Sequence, residues 1–413
     1  MWVRKRIDIG WLDLLSASAR CVVPGSRPVA SERAEAAWSA DGRAFACLSV
    51  RSGLDLLLKA LELPAGSEVL VSALTIPDMV RIVEHHGLAA VPIDLHDMDA
   101  SPHVELLEKL VTEKTKAILV AQLFGSRFDL APFVDFAKEH DLILIEDCAQ
   151  AFEGDRYKGH GEADVSMFSF GPIKTATALG GGIFRIRDEA LIARMRTLQA
   201  EYPVQSRWFF FKRVLFYTVL KILGGKLAFA LFVRTCRLLG KDFDEVLNGS
   251  IRNFPEDEFF ASLRQQPSLP LLKLMIRRIR NYRNEDLDRR AARGALLASL
   301  LPPENCPGAS ASSHSYWVFP LRVDDPPRIV AAFREAGFDS TADSSMQPVE
   351  ATDGRTEAAP ETARGLLKSA IFLPLYGEMP ESEIRRMAEV LVPLLRDAEP
   401  AKQPTLHSQT NPL

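Results

Sequence analysis

The chain has 413 residues, with 50 Lys and Arg against 54 Asp and Glu and a formal net charge of −4. That balance gives no electrostatic footprint for nucleic acid. Hydrophobic residues make up 47% and charged residues 25%, an ordinary mix for a globular protein with one large core and a second, smaller one. The cysteines at 21, 47, 148, 236 and 306 are widely spaced, with no CxxC pair and no Cys/His cluster. They read against a disulfide framework or a metal site and fit a reducing cytoplasm. The opening MWVRKRIDIGWLDLL is basic, then partly apolar, and is broken by Asp8 and Asp13. Without a cleavage site it reads as an ordinary N-terminal segment, 1–43, rather than a signal peptide.

From 44 to 206 short β-branched runs alternate with amphipathic stretches. AFACLSV (44–50) predicts a strand and 52–62 a helix opened by Ser52. A strand at 68–74, a helix from Pro77 to His86, a strand at 89–94 and a helix near 103–111 follow. Next come KAILVAQLF (116–124), a helix at 130–140, LILIED (142–147) and DVSMFSF (164–170). Runs such as ILVAQL are apolar on both faces, which predicts a mostly parallel sheet covered by helices on each side. Functional residues then belong at the carboxyl ends of its strands.

Residues 207–239 form the most apolar stretch, interrupted by Lys212, Arg213, Lys221, Lys226 and Arg234. No charge-free run approaches the roughly 20 residues of a membrane span. The segment, within 207–268, reads first as helices packed on the core or at a subunit interface. A second reading is a peripheral contact with a membrane surface. Residues 269–397 read as a smaller α+β domain. It has a long basic helix (271–301), a strand (315–323), a helix (327–338) closed by Gly337, a polar loop (350–363) and a last helix (381–395). The tail 398–413 reads as disordered.

The chemistry concentrates in 142–184, LILIEDCAQAFEGDRYKGHGEADVSMFSFGPIKTATALGGGIF. Asp147 ends a buried strand, Ala149 and Gln150 follow, Ser169 ends the next strand, and Lys174 precedes Gly180-Gly181-Gly182. This order suits pyridoxal 5'-phosphate (PLP). A lysine amine can form a Schiff base with the cofactor aldehyde and, partly buried, shuttle protons. A carboxylate facing the pyridine nitrogen keeps it protonated, so the ring serves as an electron sink. Asp147 can take that part, Gln150 can donate to the ring's phenolic oxygen, and Ser169 can donate to the phosphate. Ser52 at a helix start offers a second phosphate contact, with Gly53 allowing close approach. Taken singly, each residue has a plainer use: a surface lysine, a strand-end turn residue, an N-cap, a glycine turn.

IEDCAQAFEGDRYKG and SMFSFGPIKTATALGGG resemble the two central motifs of the DegT/DnrJ/EryC1/StrS family of PLP-dependent sugar aminotransferases. LSVRSGLDLLLKALELPAGSEVLVSALTIPD, LFGSRFDL (123–130) and FLPLYGEMPESEI (372–384) are further matches. The resemblance implies a PLP fold-type I α/β scaffold with a smaller C-terminal domain, and a homodimer. It implies transfer of an amino group, commonly from glutamate, to a nucleotide-linked keto-sugar. By matching position it makes Lys174 the Schiff-base lysine and Asp147 the nitrogen partner. Ala149 would pack on the ring, Gln150 would bind its phenolic oxygen, and Ser52 and Ser169 would bind phosphate. Ile76 stands where the family often has a stacking aromatic. Gly171-Pro172-Ile173 replaces the commoner residues before the lysine, and Arg252 and Asn253 lie out of step with the partner-subunit Asn-x-Arg segment.

Two other readings compete. One is a PLP-dependent dehydratase or lyase; family dehydratases replace the lysine with histidine, and Lys174 argues against that. The other is a non-catalytic regulatory or membrane-associated protein on the same fold, against which the intact Lys174 and Asp147 both speak.

Overall fold

The computed structural model describes residues 1–4, 6–225, 258–351 and 355–396. Lys226, Arg234, Cys236, Arg252, Asn253 and the tail 398–413 lie outside the described residues. Its centre is a seven-stranded sheet of β1 (Ala44–Cys47), β2 (Glu68–Ser72), β4 (Ala89–Ile93), β5 (Thr115–Ala121), β7 (Ile143–Asp147), β8 (Val165–Ser169) and β9 (Gly182–Ile186), with two-residue strands β3 (Leu74–Thr75) and β6 (Ser126–Arg127) between them in the chain. The order across the sheet is β1-β9-β8-β7-β5-β2-β4. The β4–β2–β5–β7–β8 pairings are parallel, and β9 runs antiparallel to both β8 and β1. Parallel strands need crossovers, which the helices α3 (Val50–Leu61), α4 (Pro77–His85), α5 (Leu107–Leu110) and α6 (Ala131–Glu139) supply. One face packs Leu54, Leu57, Val69 and Phe184; the other packs Leu70, Ile118, Phe133 and Leu144. Burial on both faces accounts for the unbroken apolar runs.

The predicted and observed elements differ in instructive places. α3 starts at Val50, because Ser49 rather than Ser52 is its N-cap: the Ser49 hydroxyl accepts from the Ser52 N–H at 3.1 Å. The helix expected over 103–111 is one 3-10 turn, Val104–Leu106, followed by a single turn of α5. Residues 1–43 build more than a leading segment. α1 (Trp11–Val22) and α2 (Arg27–Trp38) bury Leu14, Ala17, Ala34 and Trp38 in a core shared with Phe168 and Phe170.

α7 (Glu189–Ala200) is followed by α8 (Arg207–Leu223), the described part of the apolar stretch, which packs against α1. Among the described residues no helix is long and apolar enough to cross a membrane. After α9 (Phe259–Leu263), the long basic helix is two helices, α10 (Leu269–Asn281) and α11 (Asn284–Ser299). Tyr282 between them is extended, at φ −71° and ψ 132°, and donates its phenolic proton to Asp8 Oδ2 at 3.0 Å. The C-terminal layer pairs β10 (Phe319–Arg322) with β11 (Ala370–Leu373) under α12 (Pro326–Glu335) and α14 (Glu381–Arg396). The predicted loop at 350–363 gives way to α13 (Glu361–Ser369). It starts where the Asp94 carboxylate accepts from the Thr362 and Ala363 N–H groups.

Candidate active site

A cleft of about 2130 Å³ opens at the carboxyl ends of the parallel strands. Asp147 stands at the end of β7, beside Ala121 of β5 and Met167 of β8. Its Oδ1 accepts from the Ala149 N–H at 2.8 Å. Ser169 ends β8, and its hydroxyl accepts from the Gly171 N–H at 3.3 Å. Lys174 follows in the turn, its own N–H bonded to the Gly171 carbonyl at 3.0 Å. Asp147, Ala149, Gln150, Ser169, Lys174 and Ile76 all line the cleft.

The loop that carries Lys174 is firmly held. Ala178 and Gly180 both donate to the Phe170 carbonyl at 3.0 Å. Ala176 sits at φ 56° and donates to Asp8 Oδ2 at 3.0 Å. Asp8 is fixed in turn by Arg278 and Tyr282. Gly181, at φ 91°, leaves no room for a side chain, since a Cβ would lie 2.4 Å from Met275 Sδ. The glycine run thus serves a close approach of α10 to the lysine loop.

Lys174 and Asp147 are both half-buried and both line the cleft. Burial is the largest influence on both, and it disfavours each charged form. It holds the Lys174 amine down at about 8, helped by the charge of Arg51 and opposed by Asp147. It pushes the Asp147 carboxyl up, against the Ala149 hydrogen bond and the Lys174 charge. The Lys174 Nζ lies 4.1 Å from the centroid of the Trp317 ring, whose Nε1 donates to the Ile173 carbonyl at 3.0 Å. Trp317 was not singled out by sequence; it arrives from the C-terminal part and carries no local motif.

Other expected residues are placed differently. Gln150 Oε1 accepts from the Phe124 N–H at 2.9 Å, and its Nε2 lies 3.5 Å from Met346 Sδ. That leaves its amide on the cleft wall. Ser52 and Gly53 are not on the cleft wall. Ser52 is buried in the first turn of α3 and donates to the Leu263 carbonyl at 2.7 Å. A Cβ on Gly53 would lie 2.2 Å from Phe184 Cε2, so this glycine serves the packing of α3 on β9. The part of α3 that does reach the cleft is Ser49, Val50 and Arg51, with Arg51 ion-paired to Asp78. Outside the lining of this cleft, His96, His103 and Glu105 come together with ligand atoms within 4.8 Å of one another, a cluster that the sequence spacing did not suggest.

The residues fit PLP. A buried amine of lowered basicity and a carboxylate with one backbone donor face the same cleft. Ser169 and the amino end of α3 offer donors for a phosphate. The parallel sheet, the strand-end cleft and the lysine loop define a fold-type I PLP scaffold. Residues 15–212 match the model of the DegT/DnrJ/EryC1/StrS aminotransferase family. GDP-perosamine synthase of Caulobacter vibrioides is 33% identical over 183 residues, 43% of this chain and 49% of that protein. The chain spans about half the length, or less, of the curated relatives it matches. The aminotransferase PseC of Helicobacter pylori has the same fold, with a TM-score of 0.69 at 15% identity, over 96% of this chain and 99% of that one. So does the E. coli GDP-4-keto-6-deoxy-D-mannose-3-dehydratase, at 0.66 and 15%, over 95% and 99%. The fold is therefore common to aminotransferases and a dehydratase.

Proposed function

We propose that the protein is a PLP-dependent aminotransferase that moves an amino group, with glutamate as donor, onto a nucleotide-linked keto-sugar in glycan or polysaccharide synthesis. The observation that carries this reading is the shared cleft of Lys174 and Asp147. The amine, held at about 8 by burial, is neutral often enough near pH 7 to take and return a proton. The relatives' names, GDP-perosamine synthase among them, support a nucleotide-linked sugar as acceptor.

When bound, PLP supplies the electron sink for a carbanion at the substrate carbon. Around it, Lys174 would hold the cofactor and move the proton through its Nζ. Asp147 would accept the ring N–H; a cationic partner there would offset the burial that now opposes its charge. Gln150 would meet the phenolic oxygen. Ala149 and Ile76 would enclose the ring by apolar contact alone, and Ser169 would donate to the phosphate. Ser52 and Gly53, expected as cofactor contacts, are replaced in this reading by Ser49 and Val50. Trp317 would exclude water from the Lys174 amine.

The proposal includes a homodimer in the cytoplasm whose partner copy covers the apolar face of α1 and α8. Contact of 207–239 with a membrane surface is the competing use of that face. We also assign 44–206 and 269–397 to a large and a small domain.

The test is spectroscopic. Purified protein loaded with PLP receives L-glutamate and no sugar. The visible absorbance of the bound cofactor should fall while near-UV absorbance rises, and 2-oxoglutarate should form in equal amount. A lysine-held cofactor whose spectrum ignores glutamate and other amino donors would sink the aminotransferase reading.

A further inference from the structure

One cation in the cleft has no use in the mechanism above. Arg213 sits on α8, on the same face as the buried Phe210, Val214 and Tyr217. Its side chain lines the cleft and its Nε is buried without a hydrogen-bond partner. Among the described residues no Asp or Glu pairs with it; its guanidinium lies only 5.9 Å from the Tyr217 ring centroid. Burial and the charge of Arg51 both act against it. A buried cation without an anion is strongly unfavourable, and no carboxylate among the described residues is paired with this one.

Its surroundings favour a phosphate. Arg51 and Arg213 act on each other electrostatically, and Arg51 opens α3, where Ser49 and Val50 line the same cleft. The first-turn N–H groups of a helix have no intrahelical acceptor and attract anions. The cleft as a whole is basic: among the described residues twelve Lys and Arg and eight Asp and Glu line it, in a chain of net charge −4.

We infer that Arg213 and the amino end of α3 grip a phosphate group of a ligand bound in the cleft, so that α8 serves as a phosphate clamp. The phosphate has two possible bearers, the cofactor and the diphosphate of a nucleotide-linked substrate. This inference rests on the cleft being the ligand site proposed above. It does not depend on which reaction follows.

The test reads binding, not turnover. Full-length protein stripped of cofactor is titrated with inorganic phosphate by calorimetry and thermal shift. Wild type should bind, Arg213→Gln should bind at least tenfold more weakly, and Arg213→Lys should recover part of the loss. Titration with PLP, pyridoxal and a nucleoside diphosphate then separates the bearers. A loss for PLP but not for pyridoxal assigns the cofactor phosphate; a loss for the nucleoside diphosphate alone assigns the substrate. Wild-type affinity of Arg213→Gln for all of them overturns the inference. If the variant does not fold, wild type is treated with phenylglyoxal with and without phosphate and mapped by mass spectrometry. Protection of Arg213 supports the clamp, and equal modification overturns it. A clamp that works in a protein deaf to glutamate would sink the transfer reaction alone; transfer without a clamp would sink this inference alone.

Discussion

Lys174 is governed by its desolvation. An ordinary lysine titrates near 10.4; this one is held at about 8. The neutral amine is then roughly one part in ten at pH 7, against less than one in a thousand for an exposed lysine. The rate of PLP capture should therefore rise about tenfold per pH unit below 8 and level off above it, as followed by stopped-flow absorbance; a flat profile from pH 6 to 9 would contradict the burial argument. Stability gives an independent sign. Between about 8 and 10.5 the unfolded lysine binds a proton that the folded one releases, so folding is disfavoured below that window and the penalty fades across it. Lys174→Met without cofactor should melt higher than wild type at pH 7, and the gap should close as pH passes 10.5. For Asp147→Asn, shape is kept and charge is lost. Turnover should drop by roughly 10²–10⁴-fold with PLP still bound; near-wild-type turnover would mean that Asp147 is not the nitrogen partner. The placement of Asp147, Ser169 and Lys174 on one cleft was legible because all three belong to one strand-end pattern. Trp317 and Arg213 were not, because they come from 143 and 39 residues beyond Lys174 and carry no motif of their own.

At the scale of the element, α3 shows how a small shift changes function. Ser49 and Ser52 are both good N-caps by composition, and the sequence cannot choose between them. Tertiary packing chooses: Ser52 is drawn to the Leu263 carbonyl of α9, and Ser49 caps. On the proposed function, the phosphate-facing residues would therefore lie three positions nearer the amino end. Two substitutions separate the roles. Ser49→Ala should destabilise the protein by about 1 kcal/mol and weaken phosphate binding. Gly53→Ala should cost about 1–3 kcal/mol by overpacking against Phe184 and leave phosphate affinity unchanged in the folded protein. Loss of phosphate affinity in Gly53→Ala without loss of stability would restore the original placement. The divided basic helix has a similar cause. Tyr282 leaves the helix for extended backbone, and its hydroxyl bonds the sequence-distant Asp8.

For the whole molecule, the sheet was legible because strands buried on both faces leave a distinctive apolar run. What α1, α2 and α8 do was not, because an amphipathic helix declares that it has a buried face but not what covers it. α8 buries Phe210, Val214 and Tyr217, yet leaves Trp208, Leu215, Val219 and Ile222 exposed. α1 packs beside it with Trp11, Leu12 and Leu15 also exposed. Exposed apolar side chains on two neighbouring helices are what an interaction site would present. Trp11, Leu12 and Phe209 line the cleft as well as reaching solvent, so a second copy seated on this face would also cover the mouth of the cleft. That coupling separates a dimer from a membrane contact. Leu215→Glu with Val219→Glu places two charges where side chains are 56% and 47% exposed, and should not disturb folding. At micromolar concentration the wild type should sediment as a dimer and the double variant as a monomer with unchanged circular dichroism. A partner copy that closed the cleft would make PLP affinity fall in step with dimer dissociation. If instead the variant stays dimeric and loses only flotation on anionic vesicles at low salt, the face belongs to the membrane. The clamp of Arg213 would then open toward a lipid surface rather than a second subunit.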